Sequence, residues 1–287
     1  ILITGANSYV GISVEKYLQQ WPEQYRLDTV DMIGDGWKKH SFRDYDAVLH
    51  VAGLVHQPQT KNDPAQAELY DRVNHRLAVE TAQKARAEGV GQFLFLSSAS
   101  VYGLDAPVGK VIMITKDTPL NPKDNYGISK KNAEESLQKL RDAQFKVAIL
   151  RPPMIYGKGC KGNYRTMAKL AGKLPVFPKV ENQRSMLYIE NLTEFIRLLI
   201  DDGAEGIFCP QNKEYVNTSD MVNLIAHANG RGIVLVGGFT WALKLLRGVT
   251  GIVDKAFGSL CYDFELSRYG RDYCVKDLQE SILETEQ

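Results

Sequence analysis

Ile1-Leu-Ile-Thr-Gly-Ala-Asn-Ser-Tyr-Val-Gly11 decides the fold of this chain. Ile1–Thr4 is a short apolar run, which predicts a strand, and Gly5 opens a turn behind it. Val10, Val14 and Leu18 then step by four, so a single apolar face predicts a helix from Val10 to Leu18. A turn of this kind needs residues with little side chain if backbone N–H groups are to reach a pyrophosphate. Gly5 and Gly11 suit the outer positions, and Ser8 stands where a middle glycine is usual. The helix start behind the turn adds a partial positive charge that favours phosphate. Gly5, Asn7, Ser8, Tyr9, Val10 and Gly11 are therefore the expected dinucleotide contacts.

Outward from that turn, strands and helices alternate. Leu27–Val30 predicts a second strand and Asp46–Val51 a third, which ends at Ala52-Gly53. Asp31 follows Gly11 by 20 residues, at the end of the second strand. A carboxylate there accepts hydrogen bonds from a ribose 2′-hydroxyl and repels a 2′-phosphate, so NAD is expected over NADP. Lys38 and Lys39 argue the other way, being within reach of such a phosphate. Leu69, Val73 and Leu77 predict one long helix over Pro64–Glu88, with Gly89 as its stop. Gln92–Leu96 is an apolar run that breaks into Ser97-Ser98-Ala99-Ser100. Tyr126–Arg141 predicts a helix with Ala133, Leu137 and Leu140 inward, and Val147–Leu150 a strand stopped by Pro152-Pro153. This alternation means β-α-β units and a parallel sheet, an α/β fold of the Rossmann type, doubly wound. Past residue 157 the rhythm changes. We expect a dinucleotide-binding domain over residues 1–157 and a smaller substrate lobe over 158–287, partly interleaved with the first.

Composition narrows the function classes. Thirty-five basic against 34 acidic residues give a net charge of +1, which carries no nucleic-acid footprint and no polybasic membrane patch. No apolar stretch approaches the length of a membrane span. The four cysteines lack C-x-x-C spacing and the five histidines form no ligand motif, so neither a disulfide scaffold nor a metal site is expected. The chain opens on an apolar run, so preceding residues are expected, and the cytoplasm is the expected compartment.

Tyr126-Gly-Ile-Ser-Lys130 carries the chemistry. Its phenol and ammonium stand four residues apart, on one face of a helix. It is the sole Y-x-x-x-K among 14 tyrosines, and it follows both the serine cluster and a Pro-rich loop. Free tyrosine titrates near pH 10, so a phenol that takes a proton near pH 7 must be lowered by several units. Lys130, an oxidised nicotinamide and the helix N-terminus are the expected causes. Ser98 is placed to hydrogen-bond the reacting oxygen. Asn74, disfavoured in a helix interior, either positions the nicotinamide end or shores up a strand. Loop hydrogen bonding alone accounts for Ser97 and Ser100.

These residues, with His50-Val-Ala-Gly53, Leu96-Ser-Ser-Ala-Ser-Val-Tyr-Gly103, Leu150-Arg-Pro-Pro-Met-Ile-Tyr-Gly157 and Arg184-Ser-Met-Leu-Tyr-Ile-Glu-Asn-Leu192, form a pattern. Over nearly its whole length the chain resembles the extended short-chain dehydrogenases/reductases, the NAD-dependent epimerase/dehydratase group that works on nucleotide sugars. The resemblance implies a catalytic triad of Ser98, Tyr126 and Lys130. It places Phe42 near the adenine and Ala52, Gly53, Leu54, Asn74 and Pro153 along the cofactor. Ser100, Asn163 and Arg184 become substrate contacts, the last two for a nucleotide diphosphate. Departures are Ser8, Ser41 where an Asp is common, and a C-terminal arginine for which Lys255 is the loose counterpart.

Dehydratases of the family carry Asp-Glu after the catalytic Ser/Thr, and Ala99-Ser100 stand there instead, which argues against dehydration. The resemblance thus implies a nucleotide-sugar 4-epimerase of UDP-hexose or UDP-N-acetylhexosamine type, in surface polysaccharide biosynthesis. The alternative is an NAD(P)H-dependent 4-keto-sugar reductase. A non-catalytic dinucleotide sensor fits less well, because such relatives typically lose the Tyr or the Lys. The helices at 65–88 and 126–141 resemble those of the family's dimer interface, so a homodimer is expected.

Overall fold

A computed structural model describes residues 1–55, 63–238 and 252–287. In chain order the strands are β1 (Leu2–Thr4), β2 (Asp28–Val30), β3 (Ala47–His50), β4 (Gln92–Leu96), β5 (Val111–Ile114), β6 (Lys146–Leu150), β7 (Met154–Tyr156), β8 (Val176–Pro178), β9 (Met186–Tyr188), β10 (Gly206–Phe208), β11 (Val234–Val236) and β12 (Ser259–Tyr262). By its contacts the chain divides into two compact units. The first holds residues 1–103, 119–152 and 193–209, and the second holds 104–118, 153–192 and 210–287. The division is thus not a single cut at residue 157.

The first unit is built on a six-stranded sheet in the order β10-β6-β4-β3-β1-β2. Every pairing in it is parallel, with Thr4 of β1 opposite both Val30 and His50. Strand succession runs outward from β1 in both directions. The turns after β1 and β3 therefore open side by side at the carboxyl edge, where open α/β sheets receive ligands. Strands covered on both faces must be apolar throughout, and all four residues of β3 are buried. Phe93, Phe95, Val147 and Ile149 join Ala82, Ala85 and Leu137 in one core cluster.

Helix α1 (Tyr9–Leu18) starts where Ser8 accepts a hydrogen bond from the Gly11 N–H at 3.1 Å. The segment expected as one helix over Pro64–Glu88 keeps a continuous path but has three parts. These are α2 (Pro64–Tyr70), a π turn over Asp71–Arg76, and α3 (Leu77–Ala87). A π turn inserts an extra residue, and here it turns Asn74 inward to 0% exposure. A stepping-by-four pattern cannot reveal that. Helix α4 (Asn125–Gln138) is capped by Asp124, which accepts from the Gly127 N–H at 2.7 Å. It stops three residues before Arg141; Ala133 and Leu137 lie in the core, and Leu140 packs against it half-buried.

Among its described residues the second unit pairs strands in parallel, β5 with β12, β7 with β9 and β8 with β11. Among the described residues its helices are α5 (Asn163–Ala171), the start of α6 (Ile189–Asp201), α7 (Thr218–Ala228), Ile252–Phe257 and Leu278–Glu286. Tyr156 stacks on Tyr164 at 5.4 Å between ring centroids. The Tyr156 hydroxyl accepts from Asn212 Nδ2 at 3.0 Å and meets Ser281 Oγ at 2.6 Å. These three buried polar side chains satisfy one another.

Phe93 lies at the centre of the sheet with no exposed surface. Phe93→Ala is expected to cost about 3–5 kcal/mol of unfolding free energy, measured by urea denaturation. A loss below about 1 kcal/mol would contradict the packing described.

Candidate active site

The turn after β1 has no room for a side chain at its first position. Gly5 has φ +109°, and a Cβ there would lie 2.6 Å from the Ala52 N. At Gly11 a Cβ would come within 2.6 Å of Ser8 Oγ. Ser8, where a glycine is usual, is therefore spent on capping α1. Asn7 adopts φ +65° and is exposed, Tyr9 is half-buried and Val10 buried. Together these residues leave a backbone-lined cradle at a helix start, which fits a dinucleotide phosphate. Asp31 is exposed, and its Oδ1 accepts from the Ile33 N–H at 2.9 Å. Lys38 is committed to Asp35 at 2.9 Å and Glu80 at 3.6 Å. Phe42 is wholly buried, so its ring belongs to the core.

Beside that cradle, the Ala52 N–H bonds the Thr4 carbonyl at 3.0 Å. Gly53 and Leu54 follow, and Asn74 holds them from the π turn. Asn74 Oδ1 accepts from the Leu54 N–H at 2.7 Å. Its Nδ2 donates to the Leu54 carbonyl at 3.0 Å and to Ser129 Oγ at 3.1 Å. A Cβ on Gly53 would stand 3.2 Å from Asn74 Oδ1 and 3.4 Å from Lys130 Nζ. The loop after β3 is thus drawn tight over the lysine.

Ser98 heads a 3₁₀ turn (Ala99–Tyr102), accepting from the Ser100 N–H at 3.2 Å and donating to Ser100 Oγ at 3.2 Å. Burial pushes the Tyr126 phenol up to about 12; the nearby Ser98 hydroxyl lowers it, while Asp124 and Tyr70 raise it further. Lys130 is 4% exposed. Its Nζ donates to the Leu96 carbonyl at 2.7 Å and lies 4.5 Å above the Phe95 ring. Burial pulls this amine down to about 7, against the opposing carboxylate of Glu134. Lys130 was expected to lower the phenol. The structure has it serve the Leu96 carbonyl instead, and burial governs the phenol.

Pro153, Asn163 and Arg184 belong to the second unit. Pro153 is half-buried just before β7, and Asn163 is exposed at the first turn of α5. Arg184 Nη1 donates to the Gly258 carbonyl at 2.8 Å. Burial disfavours its charge, Cys261 and Asp105 support it, and among the described residues no carboxylate pairs with it. The Lys255 side chain lies outside the described residues. No cluster of metal-binding type occurs among the described residues, and all four cysteines are free thiols.

Three residues with no assigned site role prove central. Glu134, fully buried, meets Arg151 through Nε at 3.1 Å to each carboxylate oxygen and through Nη2 at 2.6 Å. Ser97 donates to the same carboxylate, and Arg151 Nη1 donates to the Tyr102 hydroxyl at 2.9 Å. Two signals point to them: Glu134 continues the Tyr126–Lys130 helix face by four residues, and Arg151 is a cation directly after a buried strand.

Fold and site together define a dinucleotide-binding α/β enzyme. A family model described as the NAD dependent epimerase/dehydratase family matches residues 1–208. A UDP-glucose 4-epimerase of Vibrio cholerae is 31% identical over 92% of this chain and 87% of its own length. A GDP-6-deoxy-D-mannose reductase of Pseudomonas aeruginosa is 26% identical over 79% of each. The solved UDP-glucuronic acid 4-epimerase of Bacillus cereus, in complex with NAD, superposes with a TM-score of 0.71 over 99% of this chain and 96% of its own, at 14% identity, a likeness of fold alone. The chain belongs to the NAD-dependent epimerase/dehydratase family, and NAD is its cofactor.

Beneath the site, His50 Nδ1 lies 2.7 Å from Thr4 Oγ1, and its Nε2 has no partner among the described residues. Burial and Lys130 lower the ring to about 3. Between the ordinary histidine value and that point, the unfolded chain binds a proton the folded one refuses. Stability therefore falls as pH drops through this window, by roughly 1.4 kcal/mol per unit. His50→Phe is expected to flatten this acid dependence, read from urea unfolding at pH 4.5 and 6.5. Identical slopes in the two proteins would refute it.

Proposed function

We propose that the chain is a nucleotide-sugar 4-epimerase, of UDP-hexose or UDP-N-acetylhexosamine type, acting through a 4-keto intermediate in surface polysaccharide synthesis. The Ser98 hydroxyl acting on the Tyr126 phenol, one helical turn from the buried Lys130 at the sheet's carboxyl edge, carries this reading. Bound NAD supplies hydride transfer at the sugar carbon and, when oxidised, a positive ring. Tyr126 exchanges the proton of the sugar hydroxyl at its phenol oxygen, and Ser98 steadies the charge that develops there. To act as a base at pH 7 the phenol must fall by some five units from its buried value. That asks on the order of 7 kcal/mol of favourable charge, an amount reachable where water is excluded.

Lys130 anchors the nicotinamide ribose in this reading. Gly5, Asn7, Ser8, Tyr9, Val10 and Gly11 hold the pyrophosphate, and Asp31 the adenine ribose. Arg184, a half-buried guanidinium without an ion-pair partner among the described residues, suits the substrate diphosphate, and Asn163 is the second residue assigned to it. The likeness to a UDP-glucose 4-epimerase supports uridine as the nucleotide. A second reading is a 4-keto-sugar reductase, in which Tyr126, protonated before hydride arrives, gives its proton to the new hydroxyl. The reductase among the relatives supports it.

We place the enzyme in the cytoplasm as a homodimer. A groove between α2 and α4, lined by Ala67, Glu68, Asp71, Ile128 and Asn132, is the expected seat of the second copy.

Incubation with UDP-, dTDP- and GDP-sugars, followed by proton NMR and reduced-nicotinamide absorbance, separates the two readings. An epimerase interconverts two sugars with no net loss of NADH; stoichiometric consumption of NADH with a keto sugar identifies the reductase. Tyr126→Phe is expected to lower kcat by about 10²–10⁴ with NAD affinity retained in calorimetry, and equal activity would remove Tyr126 from the mechanism. Arg184→Ala is expected to raise KM for the nucleotide sugar roughly 10–100-fold, and an unchanged KM would break that assignment.

A further inference from the structure

We propose that Glu134 and Arg151 are positioning residues, a buried pair that holds the catalytic lysine and serine in register, a role that rests on the Ser98–Tyr126–Lys130 reading above.

The pair joins the elements that carry the reacting groups. Glu134 lies on α4 one turn beyond Lys130. Its carboxylate takes the Ser97 hydroxyl at the end of β4, next to both Leu96, whose carbonyl holds Lys130, and Ser98. Arg151, at the end of β6, clamps that carboxylate through two nitrogens and reaches the Tyr102 hydroxyl at 2.9 Å, in the 3₁₀ turn headed by Ser98. The backbone repeats the tie. The Ser97 N–H bonds the Leu150 carbonyl at 2.7 Å, and the Arg151 N–H bonds that of Phe208 at 2.8 Å. Side-chain and backbone bonds thus converge on the residues flanking Ser98 and Lys130.

Stability alone does not call for ions here. Apolar residues of similar volume often serve a buried site as well as an ion pair does. The pair adds direction: a planar fork fixes the carboxylate, and the carboxylate fixes a hydroxyl one residue from Ser98. It adds charge as well. The charged and titratable groups that face the Lys130 ammonium are His50 from β3, neutral at working pH, and Glu134 from its own helix, with Arg151 after β6 behind Glu134. Glu134 is the anion that favours the protonated lysine.

Two variants test this, Glu134→Gln and the apolar double substitution Glu134→Leu with Arg151→Met. The first readout is the titration of Lys130 by NMR of ¹³C-labelled lysine in protein without cofactor, which needs no turnover. The second is the pH profile of kcat, beside thermal midpoint and NAD affinity. The expected result is a folded double variant whose Lys130 midpoint drops by roughly one unit. Its kcat falls by about 10², and the Lys130 limb of the profile moves to lower pH. Glu134→Gln shifts both in the same direction. A folded variant with wild-type kcat and an unmoved lysine titration reduces the pair to packing and overturns the proposal, as does unfolding of both variants. Tyr126→Phe is run alongside. Full activity there defeats the reading of the site, while the lysine titration still judges the pair.

Discussion

Holding an ammonium inside a protein is costly unless something answers its charge. Lys130 is answered by the Leu96 carbonyl, the face of the Phe95 ring and, one helical turn on, the Glu134 carboxylate. Each comes from an element that must then stay where it is. Strand β4 must end at Leu96 so that its last carbonyl is free of the sheet. Helix α4 must pack flat enough to bury Ala133 and Leu137 while aiming Lys130 at that carbonyl. The loop after β3 must pass so close above the lysine that Gly53 crowds Asn74 and Nζ.

Charge also orders the groups around the site. His50 stays neutral because it is buried next to a cation. Tyr126 keeps its proton more firmly than a free phenol, because burial outweighs the lowering by Ser98. The protein on its own therefore stores a proton on the phenol and shares one with the lysine. A positive ring arriving from outside meets a half-buried phenol that still holds its proton. Preparing the site in this way leaves the final lowering of the phenol to the partner that needs it.

The sheet was legible because its strands are continuous apolar runs and its helices keep a regular spacing. Val10, Val14 and Leu18 behave in space as they do on paper, and so do Ala133 and Leu137. The glycine turn was legible for a physical reason: a Cβ on Gly5 would lie 2.6 Å from the Ala52 N, so no other residue fits. Hidden from sequence were features that depend on contacts across the chain. Phe42 gives no sign that its ring is wholly buried. Glu134 and Arg151 each carry a local signal, but they lie 17 positions apart in the chain and nothing local says that they meet. Nor does Ser97 look different from Ser98, although one hydroxyl faces a buried carboxylate and the other a phenol.

The π turn at Asp71–Arg76 sets how the two ends of one long helix face. Each residue of an α-helix advances about 100° around the axis, so the added residue rotates everything before it by roughly that angle relative to everything after. Asn74 looks inward at the loop after β3, while Ala67, Glu68 and Asp71 line the outer groove with α4. Interior loop and outer face are thereby geared together. A chain shortened by one residue at this point would have to surrender either the inward asparagine or the outward groove, so the irregularity is what lets a single rod serve two surfaces.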